Sequence, residues 1–492
     1  RMDLLHAVLQ RGSELLEAAG PAEETLLGTW LCDFAAEMKE RQSWGPELSQ
    51  PAVLLAARFN QAEALKALLD SGGDKDAREK DGKTALMLAV QSGHTEIAEI
   101  LISHEANLNA ADTHGNTALI YAALNNQVPV LRALLKTGAD MTAMNNEGCP
   151  GLYLALGKGY AEAVRAFGEQ VRLVPEAQRA ELLAAQRADG VPGLYWALQN
   201  GHAEAVRAFG EQLELVPEAQ RAELLAAKRA DGVPGLYLAL QNGHAEAVRA
   251  FGEQLKHVPQ AQIAGLLAAK KADGFPALYV ALENGHAAAV RAFGEQLKYV
   301  PEEQRAELLA AKDANENPGL HAALENGHAE AVRAFGEQLD QVPEEQRAEL
   351  LAAKDEDELP GLYWALLDGH AEAVTAFGEQ LSRVPQAQRA GLLAAKRADG
   401  LPGLFMALQE GRTETVRAFG EQLKHVPQEQ RADLLTPKTH NGESGLAMAK
   451  NENHHETVNQ YIQTVMAIAL GLSVQDRAVL RQYIKEAMPE DF

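Results

Sequence analysis

Apolar positions along most of this chain recur at spacings of three and four residues, which predicts short amphipathic helices. Over 203–215, Val206, Phe209, Gly210 and Leu213 form one stripe, so a helix with a single buried face is expected there. Ile97, Ile100 and Leu101 mark the same kind of face after Gly93-His94. Thr84 is placed to cap the preceding helix through its hydroxyl, and Gly93 to end it in the left-handed conformation. A further start follows at Val216-Pro217-Glu218, since proline is tolerated at the first helical position and an acid there suits the helix dipole. Ala219 to Lys228 then reads as a third short helix, anchored by Leu224 and Leu225 and ended by the turn Ala230-Asp231-Gly232.

The pattern repeats at fixed intervals. Leu86, Leu119 and Leu152 are 33 residues apart. From there Leu152, Leu194, Leu236, Leu278, Leu320, Leu362, Leu404 and Leu446 follow at intervals of 42 without one insertion. Such self-similarity predicts an array in which each unit buries its faces against its neighbours and the two ends differ. The expected fold is all-α, a helical repeat solenoid with irregular helical caps. Its expected divisions are a cap over 1–50 containing Trp30 and Trp44, units of 33 residues over 51–149, and seven three-helix units of 42 residues over 150–443. A degenerate last unit with a closing helix that begins near Ser473 completes it over 444–492. Gly210 in mid-helix costs about 1 kcal/mol against alanine, so a close helix contact is expected at that position.

The segments Thr84-Ala-Leu-Met-Leu-Ala-Val-Gln-Ser-Gly-His94 and Thr117-Ala-Leu-Ile-Tyr-Ala-Ala-Leu-Asn-Asn126 resemble the ankyrin repeat, whose pattern runs Gly-x-Thr-Pro-Leu-His-x-Ala-Ala-x-x-Gly-His. Gly82 and Gly115, Leu86 and Leu119, Ala89 and Ala122, and Gly93-His94 fall at matching positions. Asn107-Leu-Asn109 and Gly138-Ala-Asp140 resemble the family's finger segment. Ala85 and Ala118 stand where the family has proline, and Met87 and Ile120 where it has its first histidine. The 42-residue units match from Leu194 through His202, with Pro192-Gly193 in place of Thr-Pro. Their additional nine residues are expected to replace the finger by a helix, an arrangement that also resembles the armadillo repeat. The resemblance implies a module that binds other proteins.

Composition narrows the partners. The formal net charge is −24, from 69 acidic and 45 basic residues, which disfavours phosphate backbones and anionic lipid surfaces. That weighs against a nucleic-acid reader of one base per repeat, which needs a positive track. The longest apolar stretch, Val465 to Leu472, is too short to span a bilayer, so no membrane insertion is expected. Two cysteines, Cys32 and Cys149, in no metal or redox spacing fit a reducing, cytoplasmic compartment.

Candidate chemistry is sparse. His94, His202, His244, His286, His328 and His370 share one repeat position, with Tyr160 and Arg412 in the same place elsewhere. No second ligand recurs beside them, so a helix-turn role is expected rather than a metal site. One arginine row is Arg165, Arg207, Arg249, Arg291, Arg333 and Arg417, broken at Thr375, and Glu204 and Glu211 flank Arg207 at three and four residues, the spacing of intrahelical ion pairs. A second row, Arg179, Arg221, Arg305, Arg347, Arg389 and Arg431, lies near acids such as Glu176 and Glu218. Both are expected to be solvated faces. Phosphate-cradling loops, nucleophile elbows and zinc-protease motifs are absent from the sequence, so no catalytic residue, metal or cofactor is expected.

Binding residues are expected where the repeats differ from one another. One such place is the pair before the Gly-His turn: Gln91-Ser92, Leu124-Asn125, Gln199-Asn200, Gln241-Asn242, Glu283-Asn284, Glu325-Asn326, Leu367-Asp368 and Gln409-Glu410. A second precedes the Val-Pro step, as at Glu214-Leu215, Lys256-His257, Lys298-Tyr299, Asp340-Gln341, Ser382-Arg383 and Lys424-His425, and a third is the first-helix position that holds Trp196 and Trp364, either an interface anchor or a half-buried spacer. The function expected is a scaffold that grips a folded protein along a concave face. Near-duplicate repeats resemble those of bacterial effector proteins acting in the host cytosol. The alternative is the targeting portion of a larger enzyme whose catalytic domain lies outside this sequence.

Overall fold

A computed structural model describes residues 21–41 and 46–489, and Trp44 of the expected cap lies outside them. Its contacts divide into two units, residues 1–197 with 202–230, and residues 198–201 with 231–492. The described residues are helical throughout, with isolated antiparallel bridges and no extended strand.

The first unit opens with helices Pro21–Arg41 and Pro46–Arg58, followed by Ala62–Asp70. Helix pairs follow: Ala85–Ser92 with Thr95–Ser103, Ala118–Leu124 with Val128–Lys136, and Gly151–Gly157 with Ala161–Val171. The Thr84 and Thr117 hydroxyls accept from the Met87 and Ile120 amides, each at 3.3 Å, the first being the cap the sequence predicts. The 42-residue units carry proline at that position. There the first helical amide is satisfied by main chain instead, Gly193 N donating to Ala185 O and Gly319 N to Ala311 O, both at 3.0 Å. The Ala85 amide does the same toward Ala77 O, and the third helical amide, which threonine caps in the shorter units, is met in the longer ones by the proline carbonyl, Tyr363 N donating to Pro360 O at 2.8 Å and Phe405 N to Pro402 O at 3.0 Å.

The second unit repeats one motif, as in Gly319–Glu325, Ala329–Gln338 and Glu344–Leu351. A short 3-10 turn, Leu339–Gln341, separates the second helix from the third. Phe167, Phe209, Phe251, Phe293, Phe335, Phe377 and Phe419, one per 42 residues, are fully buried and form the centre of each layer. The chain closes with Gly445–Asn451, His455–Ala469 and Val474–Ala487, the last capped by the Ser473 side chain.

One expectation is corrected. The third helix does not replace the finger turn but precedes it. Bridges close that turn across six residues in the 33-residue units, Arg78 to Thr84 and Met144 to Pro150, and at the same six in the longer ones, Gln186 to Pro192 and Lys312 to Pro318. The added residues lengthen the segment between the second helix and the turn, where a helix forms without disturbing either.

Candidate protein-binding site

The periodic histidines act between units. His202 Nε2 lies 3.1 Å from Gly157 O, His244 Nε2 3.1 Å from Gln199 O, and His286 Nε2 2.9 Å from Gln241 O. Each ring therefore ties off a carbonyl at the end of the preceding first helix. The glycine of the preceding turn makes room for it, since a Cβ on Gly159 would stand 2.8 Å from the His202 ring. His454, which also fills this position 42 residues after Arg412, packs against Gly411 in the same way. The sequence analysis missed His454 because its unit is otherwise degenerate.

Both arginine rows differ from the expected solvated faces. In the first row the glutamate three before is a partner of Arg165, Arg249 and Arg333, Arg291 having Ala288 there, but the glutamate of the following unit takes the other side of the guanidinium. Arg165 Nε donates to Glu211 at 3.0 Å, and Arg249, Arg291 and Arg333 reach Glu295, Glu337 and Glu379 in the same manner. Arg417, at the end of the row, pairs within its own helix with Glu414 and Glu421. In the second row the guanidinium bridges carbonyls. Arg347 donates to Val342 O at 2.9 Å and to Arg383 O at 3.2 Å, and Arg305 and Arg389 do the equivalent. These arginines are mortar between layers. They leave the pair positions and finger turns as the variable surface.

At the pairs, the second member is exposed throughout: Ser92, Asn125, Asn200, Asn242, Asn284, Asn326, Asp368 and Glu410. Gln91 and Glu325 are exposed as well, while Leu124, Gln199, Gln241, Glu283, Leu367 and Gln409 are half-buried. Asn242 Nδ2 donates to Gln199 O at 3.0 Å. Trp196 is half-buried, stacked 5.4 Å from the Tyr153 ring and filling the space over Gly157. Trp364 is half-buried too, its Nε1 donating to Asp355 Oδ2 at 3.0 Å. Each tryptophan has one edge committed to the fold and another open to solvent.

Two consecutive finger turns break the pattern of the second unit. Where Lys271 and Arg397 open the turn elsewhere, Asp313 and Asp355 open it here. The Asp355 carboxylate accepts from the Asp357 and Leu359 amides at 3.0 and 2.8 Å, and Asp313 does the same for Asn315 and Asn317. Glu316 and Glu358 occupy the left-handed tip, at φ of 65° and 60°, where Gly274 and Gly400 stand in the neighbouring turns. The first-helix tyrosine gives way at the same point to His321, buried with Nε2 3.1 Å from Asp355 Oδ2. Burial holds the His321 pKa below its ordinary value against the pull of Asp355 and Glu325. The Glu283 carboxyl is pushed up, by burial first and then by Asp313 and Glu325. Acid thus concentrates on the pair-and-finger side of these units.

Residues 53–145 match the family model for ankyrin repeats, in three copies. That segment is made of ankyrin repeats. No curated protein matches the chain. Ankyrin repeats are in general protein–protein interaction modules. The 42-residue units share with the 33-residue units a first helix, a turn, a second helix and a bridge-closed turn, and add the third helix. Among the described residues no group of three or more potential ligands could hold a metal ion, and no helix is long and apolar enough to cross a membrane.

The third helices also border a feature that the sequence analysis missed, a row of grooves between successive members. Their volumes are 440 Å³ beside Leu194 and Phe209, 250 Å³ beside Leu278 and Phe293, 410 Å³ beside Leu320 and Phe335, and 690 Å³ beside Leu362, Phe377, Leu404 and Phe419.

Proposed function

We propose that this chain is a scaffold that binds a folded protein along the side formed by its first helices and finger turns. The observation that carries this reading is the division of labour within the repeat. Positions that touch neighbouring layers recur almost unchanged, whereas the exposed surface changes along the array, Asn200, Asn242, Asn284 and Asn326 giving way to Asp368 and Glu410, and the glycine tips to Glu316 and Glu358. Internal packing accounts for the constant positions and leaves the variable ones unexplained. The half-buried edges of Trp196 and Trp364 supply rigid aromatic area of the kind that anchors interfaces. The acidic turns around Asp313 and Asp355 favour a basic patch on the partner. In the same reading the chain acts in a cytosol, as an effector of bacterial origin on a eukaryotic host protein. The near-duplicate repeats support that placement.

The test is affinity capture from eukaryotic and bacterial lysates, read by mass spectrometry, with a Glu325→Lys, Glu410→Lys variant alongside. Both residues are exposed, so the variant is expected to fold. A single partner caught by the original chain and released by the variant supports the proposal. Equal capture by both chains, or capture of nothing specific, removes it.

A further inference from the structure

Five Asn-Gly bonds lie in this chain, at Asn200, Asn242, Asn284, Asn326 and Asn441. The pairing is chemically special, because glycine has no Cβ to keep its own nitrogen away from the asparagine side chain. All five asparagines are exposed. Local hydrogen bonding does not distinguish them. Gly201 N donates to Leu198 O at 3.2 Å, Gly243, Gly285 and Gly327 N to Leu240, Leu282 and Leu324 O at 3.1 Å, and Gly442 N to Thr439 O at 2.9 Å.

Packing between layers does distinguish them. Each of the first four glycines lies against the histidine of the following unit. A Cβ would stand 2.8 Å from the His244 ring at Gly201, 2.8 Å from His286 at Gly243, 2.7 Å from His328 at Gly285 and 2.6 Å from His370 at Gly327. At Gly442 it would meet nothing within 4 Å. The asparagine side chains divide in the same way. Asn242, Asn284 and Asn326 donate to Gln199 O, Gln241 O and Ala322 O. Asn441 makes no side-chain hydrogen bond among the described residues. Its turn uses the Thr439 hydroxyl instead, which accepts from the Glu443 amide at 3.0 Å.

We infer that Asn441 is a site of spontaneous deamidation, and that the histidines between layers shield the other four bonds from it. In the reaction the Gly442 amide gives its proton to solvent base, and its nitrogen forms a bond to Asn441 Cγ. The Cγ–Nδ2 bond breaks, and the side-chain nitrogen takes up a proton and leaves as ammonia. Water then opens the cyclic imide at one of its two carbonyls, giving aspartate or isoaspartate. The sum is asparagine plus water to aspartate plus ammonia, with no change of oxidation state. Closing the ring requires the Asn-Gly peptide to turn until the nitrogen faces Cγ. A histidine ring pressed on the glycine opposes that rotation, so the first four sites wait for two layers to part. Gly442 needs only its own exposed turn to open.

The two products fit the fold unequally. Asp189, Asp231, Asp273 and Asp399 occupy the same turn position, each followed by glycine. Asp399 accepts from the Leu401 amide at 3.1 Å and Asp189 from the Val191 amide at 3.3 Å, so an aspartate product has a ready place. Isoaspartate routes the main chain through Cγ and adds a methylene between Lys438 and Ser444, the residues whose bridge closes this turn. Ser444 caps helix Gly445–Asn451, and the isoaspartate form should therefore loosen the last layer. None of this depends on the scaffold proposal.

The test holds the purified full chain in mildly alkaline buffer made with heavy-oxygen water, and follows each Asn-Gly peptide over time by mass spectrometry. The label separates conversion in the folded chain from conversion during digestion. Asn441 is expected to convert at least about tenfold faster than any of the other four, as a difference in local opening dictates. In urea the five rates should converge, because the protection comes from the fold. His286→Ala should raise the rate at Asn242 while Asn200 and Asn326, in the same molecule, stay slow. Three results would overturn the inference. One is a folded-state rate at Asn441 no greater than at the other sites. Another is the same preference persisting in urea, which would make it a property of local sequence. The third is an unchanged rate at Asn242 in the variant.

Discussion

Arg412 Nε donates to Leu367 O at 2.9 Å across 45 residues, the offset at which His202, His244 and His286 reach the carbonyls of Gly157, Gln199 and Gln241. A guanidinium therefore performs the imidazole's task, and what the position requires is a long side chain ending in an N–H. Arg412→Ala should destabilise the unit by ~1 kcal/mol, the usual net worth of one hydrogen bond, and Arg412→His by clearly less. Hydrogen exchange of amides in Gly361–Asp368 and Gly403–Gln409 is the measurement that separates the two.

The glycines that follow Phe167, Phe251, Phe293, Phe335 and Phe377 are explained by glutamines of the next layer. A Cβ on Gly294 would lie 1.9 Å from Gln338 Oε1, and Gln338 Nε2 is fixed at 2.9 Å from Ala334 O. Gly294→Ala should therefore cost roughly 1–3 kcal/mol in spite of alanine's better helix propensity. Gln338→Ala should also destabilise, but the double substitution should lose less than the sum. Urea denaturation of the four forms tests this coupling, and simple additivity would contradict the contact.

Glu283 offers a test in pH. Its folded-state pKa is raised, so folding favours the protonated carboxyl. That contribution is present below the unfolded value of about 4.3 and is lost as the pH rises through the folded value. At pH 7 the charged form is a burden, and Glu283→Gln should raise stability by roughly a few tenths of a kcal/mol after solvent screening. The gain should disappear below about pH 4. Gln199 and Gln241 at the equivalent positions make the substitution native-like. Thermal melts across pH 3.5–7 read it directly.

Arg347 tests the carbonyl bridges. One planar guanidinium reaches Val342 O and Arg383 O together, which a lysine ammonium on a flexible stem does poorly. Arg347→Lys should lose most of what Arg347→Ala loses, ~1–3 kcal/mol, and high salt should change neither loss much. A salt-sensitive loss would mean that the arginine acts as a surface ion pair.

Repeat length, helix positions and the helix-ending glycines were legible because each depends on residues close in sequence. Partner choice across layers was not. Glu211 is four residues after Arg207 and 46 after Arg165, and both descriptions fit one string of letters. Only the stacking of layers selects the second. The survival of the finger turn was hidden similarly, because its closing bridge in the longer units uses Pro192 and Pro318, which offer no amide and look like breakers. Trp196 and Trp364 had two readings of equal standing, and half-burial gives each a share of both.

The constant offsets carry a consequence for how such a molecule changes over generations. Within each unit the links between layers span fixed separations of 45 residues for the histidine bonds, 46 for the arginine–glutamate pairs and 36 for the arginine–carbonyl bridges. If a block of 42 residues is excised or duplicated, each severed link finds an equivalent atom at the new junction. Near-identical coding segments recombine readily out of alignment, and here the fold forgives the error. Length is then an inherited variable that can drift while every surviving joint keeps its geometry, which lets the span of the surface be adjusted in whole steps.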